Sequence, residues 1–108
     1  MMAKRYGILG QSAPLGTSLT TAYTVPGGRH ATVRVLVCNR SSADTFRIAV
    51  SPAGATISDS HYVAYGQAID ANDSASSVAF TVTETDVVRV YSTNGALSFS
   101  VTGIEDDN

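Results

Sequence analysis

Alternation with a period of two residues runs through this chain and limits what it can fold into. Val33, Val35 and Val37 fall on one side of an extended backbone, with Thr32, Arg34, Leu36 and Cys38 on the other. Phe46, Ile48 and Val50 oppose Thr45, Arg47 and Ala49 in the same way. Val78, Phe80 and Val82 repeat the pattern, as do Val88 and Val90 against Val87, Arg89 and Tyr91. Leu97, Phe99 and Val101 close the series against Ser98, Ser100 and Thr102. Successive side chains of a strand point to opposite faces, so each run predicts a half-buried strand. No window carries the 3.6-residue period of a long amphipathic helix.

Thr, Ser, Val and Ala dominate, and β-branched residues suit a pleated surface. Weaker strands are predicted in "YGILG", "LTTAYTV" and "HYVAYG". Residues 51–60 read as a long loop with room for one helical turn after Ser58. The polar run "NRSSAD", residues 39–44, predicts a turn that joins its flanking strands as an antiparallel hairpin. Asn94-Gly95 predicts a second, two-residue hairpin, because both positions tolerate positive φ. Roughly seven to nine short strands at near-regular spacing make the expected fold all-β. It is a single-domain antiparallel β-sandwich, Ig-like or jelly-roll-like. The expected layout is an N-terminal arm with a first short strand (1–10), the sandwich (11–104) and an acidic tail (105–108).

The 108 residues are enough for one domain that buries its own core. Its one cysteine, Cys38, cannot form an internal disulfide, which fits a reducing compartment. A net charge of −2 supplies no basic field for nucleic acid, and no run approaches the length of a membrane span. No apolar run near the N-terminus reads as a signal peptide, so synthesis in the cytoplasm is expected. Charged residues make up only 15%, low for an isolated subunit, which points to surface covered by neighbours.

The residues that carry chemistry elsewhere form no set here. Cys38 sits where a strand enters a turn, with Asn39 and Arg40 beside it, and is expected to pack as a small buried hydrophobe. Asn39 is expected to hydrogen-bond nearby backbone. His30, His61 and Cys38, even with Asp59 beside His61, fall short of a zinc ligand set. "SDSH", residues 58–61, contains serine, aspartate and histidine, but neighbours in sequence rarely reach triad geometry. Asp70, Asp73 and Asp86 invite a calcium reading, yet "DANDSASS" lacks the central glycine and distal glutamate of an EF-hand loop. No catalytic residue, metal or cofactor is therefore expected. Five tyrosines beside three phenylalanines fit half-buried strand positions or an interface.

Taken together, "ILGQSAPLG", "AYTVPGG", "VLVCNR", "FRIAVSPAG", "HYVAYG", "IDAND", "DVVRVY" and "LSFSVTGIE" resemble a pattern in small virion proteins of tailed bacteriophages. The resemblance spans residues 8–105. It departs at Ala22, where leucine is usual before the tyrosine, and at residues 78–82, where a glycine-containing stretch is usual. It implies a non-enzymatic β-sandwich subunit on the virion exterior. A capsid decoration (cement) role comes first, and a tail, baseplate or fibre accessory is the alternative. A carbohydrate-binding surface module is a second alternative, since tyrosines stack on sugar rings. The implied partners are the major capsid protein and copies of the chain itself in a homotrimer, without nucleic acid or membrane. Lys4 on the arm, with Arg5, Tyr6, Arg34, Arg47, Tyr62, Tyr65 and Arg89 on outward faces or loops, are the candidate contact residues. The arm is expected to touch the capsid or a neighbouring subunit.

Overall fold

Two eleven-residue strands, β3 (Arg29–Asn39) and β9 (Leu97–Asp107), pair antiparallel along their whole length, from Arg29 opposite Asp107 to Asn39 opposite Leu97. The computed structural model describes residues 4–108. Along β3, every second residue from Arg29 to Asn39 is buried. β1 (Arg5–Ser12) covers the free edge of β9. β6 (Ser74–Ser76) and β7 (Phe80–Thr83) divide the other edge of β3 between them. Ser77 bridges the gap: its N–H donates to the Val35 carbonyl, and its hydroxyl accepts from the Val35 N–H, both at 2.9 Å.

The second sheet runs in the order β2 (Thr20–Thr24), β8 (Val87–Ser92), β4 (Asp44–Ser51), β5 (Tyr62–Ile69), all antiparallel. The chain is thus an antiparallel β-sandwich with nine strands among the described residues. Val33, Val35, Val37, Leu97, Phe99 and Val101 of one sheet are buried in one core with Tyr23, Phe46, Ile48, Val88 and Val90 of the other. Each such aliphatic or phenylalanine side chain contributes about 1.5–3 kcal/mol on full burial. Phe46 and Phe99 meet edge to face across the core at 6.3 Å.

The two predicted hairpins are not hairpins. β3 and β4 lie in different sheets, and so do β8 and β9. Alternation tells which face of a strand is apolar but not which strand lies beside it. Here the apolar faces stack on each other, and the turns carry the chain across the sandwich. Asn39 organises the first crossing. Its buried amide donates to the carbonyls of Ser42 (2.8 Å), Ile69 (3.3 Å) and Asp70 (3.0 Å), and its Oδ1 accepts from the Ser41 N–H. That is the backbone bonding its sequence position predicts. Gly95 takes the positive φ expected of it (+76°), but its N–H donates to Ser92 Oγ within a crossing loop.

Residues 5–10 of the expected arm and 105–107 of the expected tail are strand residues of the sheet. Arg5 opposite Glu105 and Tyr6 opposite Ile104 belong to the β1–β9 ladder, and Glu105 is fully buried. Met1 to Ala3 of the expected arm lie outside the described residues. The loop after Ser51 holds two single 3-10 turns, Pro52–Gly54 and Asp59–His61, the second where the sequence left room for one.

One long side of the sandwich is drawn shut. β1 and β2, from opposite sheets, approach so closely that a Cβ on Gly10 would lie 2.1 Å from the Ala22 carbonyl oxygen. The opposite side, between β5 and the β6–β7 edge, keeps a gap of about 200 Å³ floored by Phe46 and Ile48. Val63 and Val78 stand exposed at its rim.

Candidate interaction surfaces

The eight candidate contact residues divide between two opposite faces and one internal network. Arg47, Tyr62, Tyr65 and Arg89 gather on the outer face of the β2–β8–β4–β5 sheet. Arg47 on β4 stands opposite Tyr91 on β8, so the two side chains share a face. The Arg47 guanidinium carbon lies 4.3 Å from the ring centroid of Tyr91 and 4.3 Å from that of Tyr65. Tyr62 meets Tyr65 edge to face at 4.8 Å. Arg89 donates from Nε to Ser51 Oγ (2.9 Å) and from a terminal nitrogen to Thr21 Oγ1 (3.2 Å). Tyr91 completes this cluster and is not among the sequence candidates, although its alternation with Val88 and Val90 already places it beside Arg89.

Tyr6 and Arg34 lie on the outer face of the other sheet. Rows of paired residues cross it: Tyr6–Ile104–Thr32–Thr81, then Ile8–Thr102–Arg34, then Gln11–Ser100–Leu36–Ser76. Tyr6 is 67% exposed, Ile8 49% and Ile104 44%, and these three adjoin as an open apolar cluster, while Leu36, 39% exposed, stands apart beyond Thr102 and Arg34. Cys38 opens onto this face, contrary to the buried packing expected of it. It sits at the even, outward phase of β3, whose odd residues fill the core. With Leu36, Ala75, Ser98 and Ser100 it lines a shallow groove of about 520 Å³.

Lys4 and Arg5 are engaged within the molecule. Lys4 Nζ lies 3.6 Å from Asp106, and Arg5 lies 3.5 Å from Glu105 Oε1. Glu105 is the centre of a buried polar network absent from the sequence reading. Arg29, itself buried, sets its Nε 2.9 Å from Glu105 Oε2 and a terminal nitrogen 3.8 Å from Asp107. The Tyr23 hydroxyl donates to Glu105 Oε1 at 2.5 Å. Burial pushes the Tyr23 phenol well above its usual range, and the hydrogen bond to an anionic acceptor adds to the rise. A second buried acid, Asp44, accepts from Ser92 Oγ (2.7 Å), the Thr45 N–H (2.7 Å) and the Asn94 N–H (3.0 Å). Burial alone would raise its pKa, but these bonds and one from the Ala96 N–H outweigh it and hold the carboxyl below its ordinary value.

Several of the other residues weighed for chemistry serve turns. His61 Nδ1 accepts from the Ser58 N–H at 3.1 Å, closing the 3-10 turn. His30 lies far along the chain and contacts Asn108 at 2.9 Å. Asp86 accepts from the N–H groups of Ala53 (3.0 Å) and Thr83 (2.9 Å), and Asp73 from that of Ser74 (2.8 Å). Among the described residues no group of three or more His, Cys, Asp and Glu side chains is placed to hold a metal ion. No helix among them is long and apolar enough to cross a membrane.

No family model matches the chain, no curated protein does, and no solved structure does.

Proposed function

We propose that this chain is a non-enzymatic structural protein of a tailed-phage virion: a capsid decoration protein that binds the outer shell surface and stabilises it. The observation that carries this reading is the exposed apolar cluster of Tyr6, Ile8 and Ile104 on the outer face of the β1–β9–β3 sheet. Contiguous exposed apolar surface marks interaction sites. The 37 strand residues of this sheet, at about 4.8 Å by 3.3 Å each, give a footprint of roughly 600 Å². That is the low end of the roughly 600–1,000 Å² per partner buried in a stable protein interface.

The low charge content and the sequence resemblance over residues 8–105 support the same reading. Stabilisation then follows from mass action. A subunit that binds only the assembled shell adds about 2.7 kcal/mol per site at a free concentration of 100 Kd. The proposed partners are the major capsid protein and copies of this chain, arranged as a homotrimer at local three-fold positions.

Gold-labelled antibody against the purified protein, applied to intact particles, tests the assignment. Label over heads is expected. Label confined to tails would move the protein to the tail-accessory role, and unlabelled particles throughout would end the virion reading.

A further inference from the structure

We propose that the outer face of the β2–β8–β4–β5 sheet docks a carboxylate-bearing protein segment, whose acid group is received by the Arg47 guanidinium held between Tyr65 and Tyr91. This face lies opposite the apolar cluster, and the inference does not depend on the partner being a capsid.

Three observations carry it. First, the Arg47 guanidinium carbon lies 4.3 Å from the ring centroids of both Tyr65 and Tyr91, and no hydrogen bond or ion pair joins the group to a described residue. The N–H donors on the rim of the planar group are therefore not used by described residues. Carboxylates meet such a rim with two parallel hydrogen bonds.

Second, the charge on this face is one-sided. The four strands place Arg47 and Arg89 outward, and the single acid among them, Asp44, is buried and committed to Ser92, Thr45 and Asn94. Arg89 is held by two hydroxyl groups and no carboxylate. The chain as a whole carries nine acids against seven cations, so this cationic face runs against the net charge.

Third, the cluster is pre-organised. Tyr62 braces Tyr65 at 4.8 Å, and Tyr65 and Tyr91 fix the Arg47 side chain before any partner arrives. Less rotamer freedom is then lost on binding. Tyrosine and arginine are also the residues in which interface energy concentrates.

The same observations select among anions. A nucleic acid or another polyanion needs a long basic stripe, and two cations on an acidic protein do not make one. An uncharged sugar would stack on the tyrosines but leave the guanidinium with weaker acceptors than a carboxylate supplies.

The test uses the full-length isotope-labelled protein and a blocked pentapeptide carrying one glutamate and one aspartate. Its counterpart with glutamine and asparagine is the control. The acidic peptide is expected to move the Arg47 Nε–H signal and the ring signals of Tyr65 and Tyr91. It should bind about tenfold more tightly than the amide peptide, the equivalent of about one charge-assisted hydrogen bond. Added salt should weaken it. Arg47→Gln should abolish that preference, and Arg47→Lys should keep only part of it, with amide signals of the other sheet unmoved in both variants. Equal affinity for the two peptides would overturn the proposal, as would shifts confined to the other sheet. The same signals moving with protein concentration alone would make a second copy the occupant, and moving with a neutral oligosaccharide but neither peptide would make it a sugar. Either result overturns the carboxylate partner. A protein that prefers the acidic peptide yet labels no particle loses the virion role and keeps this site; the reverse result removes the site and leaves the virion role standing.

Discussion

Tyr23 of β2 reaches across the sandwich and donates its hydroxyl hydrogen to Glu105 of β9, 2.5 Å away. The bond joins one sheet to the other near the side where Gly10 lets β1 close against β2. It ties the last residues of β9, already paired with β3, to the facing sheet.

This bond sets an alkaline limit. The Tyr23 pKa is raised in the folded protein above the 10.0 of a free phenol. Its contribution is therefore complete below pH 10. Above it the unfolded chain loses a proton that the folded chain keeps, and stability falls by up to about 1.4 kcal/mol per pH unit. Urea midpoints measured from neutral to strongly alkaline pH should show this slope, and Tyr23→Phe should lack it while costing about 1–3 kcal/mol at neutral pH.

Glu105→Gln leaves the buried Arg29 guanidinium without its closest carboxylate. The expected loss is about 3–5 kcal/mol, because an uncompensated buried charge is far more costly than a missing pair. Adding Arg29→Met to that variant should recover a large part of the loss, since the stranded cation is gone. Equilibrium unfolding of the single and double variants checks both statements.

Asp44 governs the acid side. Its pKa is lowered below 3.8 on folding, so its contribution is present above that value and is lost as pH falls through the folded pKa. Asp44→Asn should be less stable at neutral pH and should lack this part of the acid-induced decline. Faster hydrogen exchange at the N–H of Asn94, which Asp44 accepts directly, is the local signature.

Gly10→Ala should destabilise by about 1–3 kcal/mol, because the new methyl would meet the Ala22 carbonyl of the facing strand. Gly27→Ala, where a Cβ meets nothing within 4 Å, should change stability by less than about 0.5 kcal/mol. The contrast, read by thermal unfolding, separates a packing constraint from glycine's general flexibility.

Cys38 should react with an aromatic disulfide reagent in the folded protein, without denaturant, because its thiol is exposed. The same thiol reports on the face proposed to bind the shell. Particle-bound protein should react more slowly than free protein if the face bearing Leu36 is covered.

The core was legible because its information is periodic. Val33, Val35 and Val37, and Leu97, Phe99 and Val101, show their burial through spacing alone, and all six are buried. Strand adjacency was not legible, because an apolar face can be satisfied by a sheet neighbour or by the sheet opposite. The turn at Asn94-Gly95 shows the difference: the positive φ of Gly95 is local and legible, though Asn94 does not share it, whereas the anchoring of the turn to Asp44 depends on a residue fifty positions away. The aromatic–arginine cluster was partly legible for the same reason. Arg47, Tyr62, Tyr65 and Arg89 carry outward phase or loop-like polarity, but their convergence requires the order of β8, β4 and β5. Glu105 stayed hidden within an acidic run, since nothing local distinguishes a solvated carboxylate from one facing a buried arginine.

Adding the purified protein to phage shells that lack it, and following shell melting as the protein is titrated, tests the central claim most directly. The proposed role predicts saturable binding and a melting temperature that rises with occupancy, with both effects reduced when Tyr6, Ile8 and Ile104 are replaced by serine. Shells that neither bind the protein nor change their melting at any concentration would contradict it.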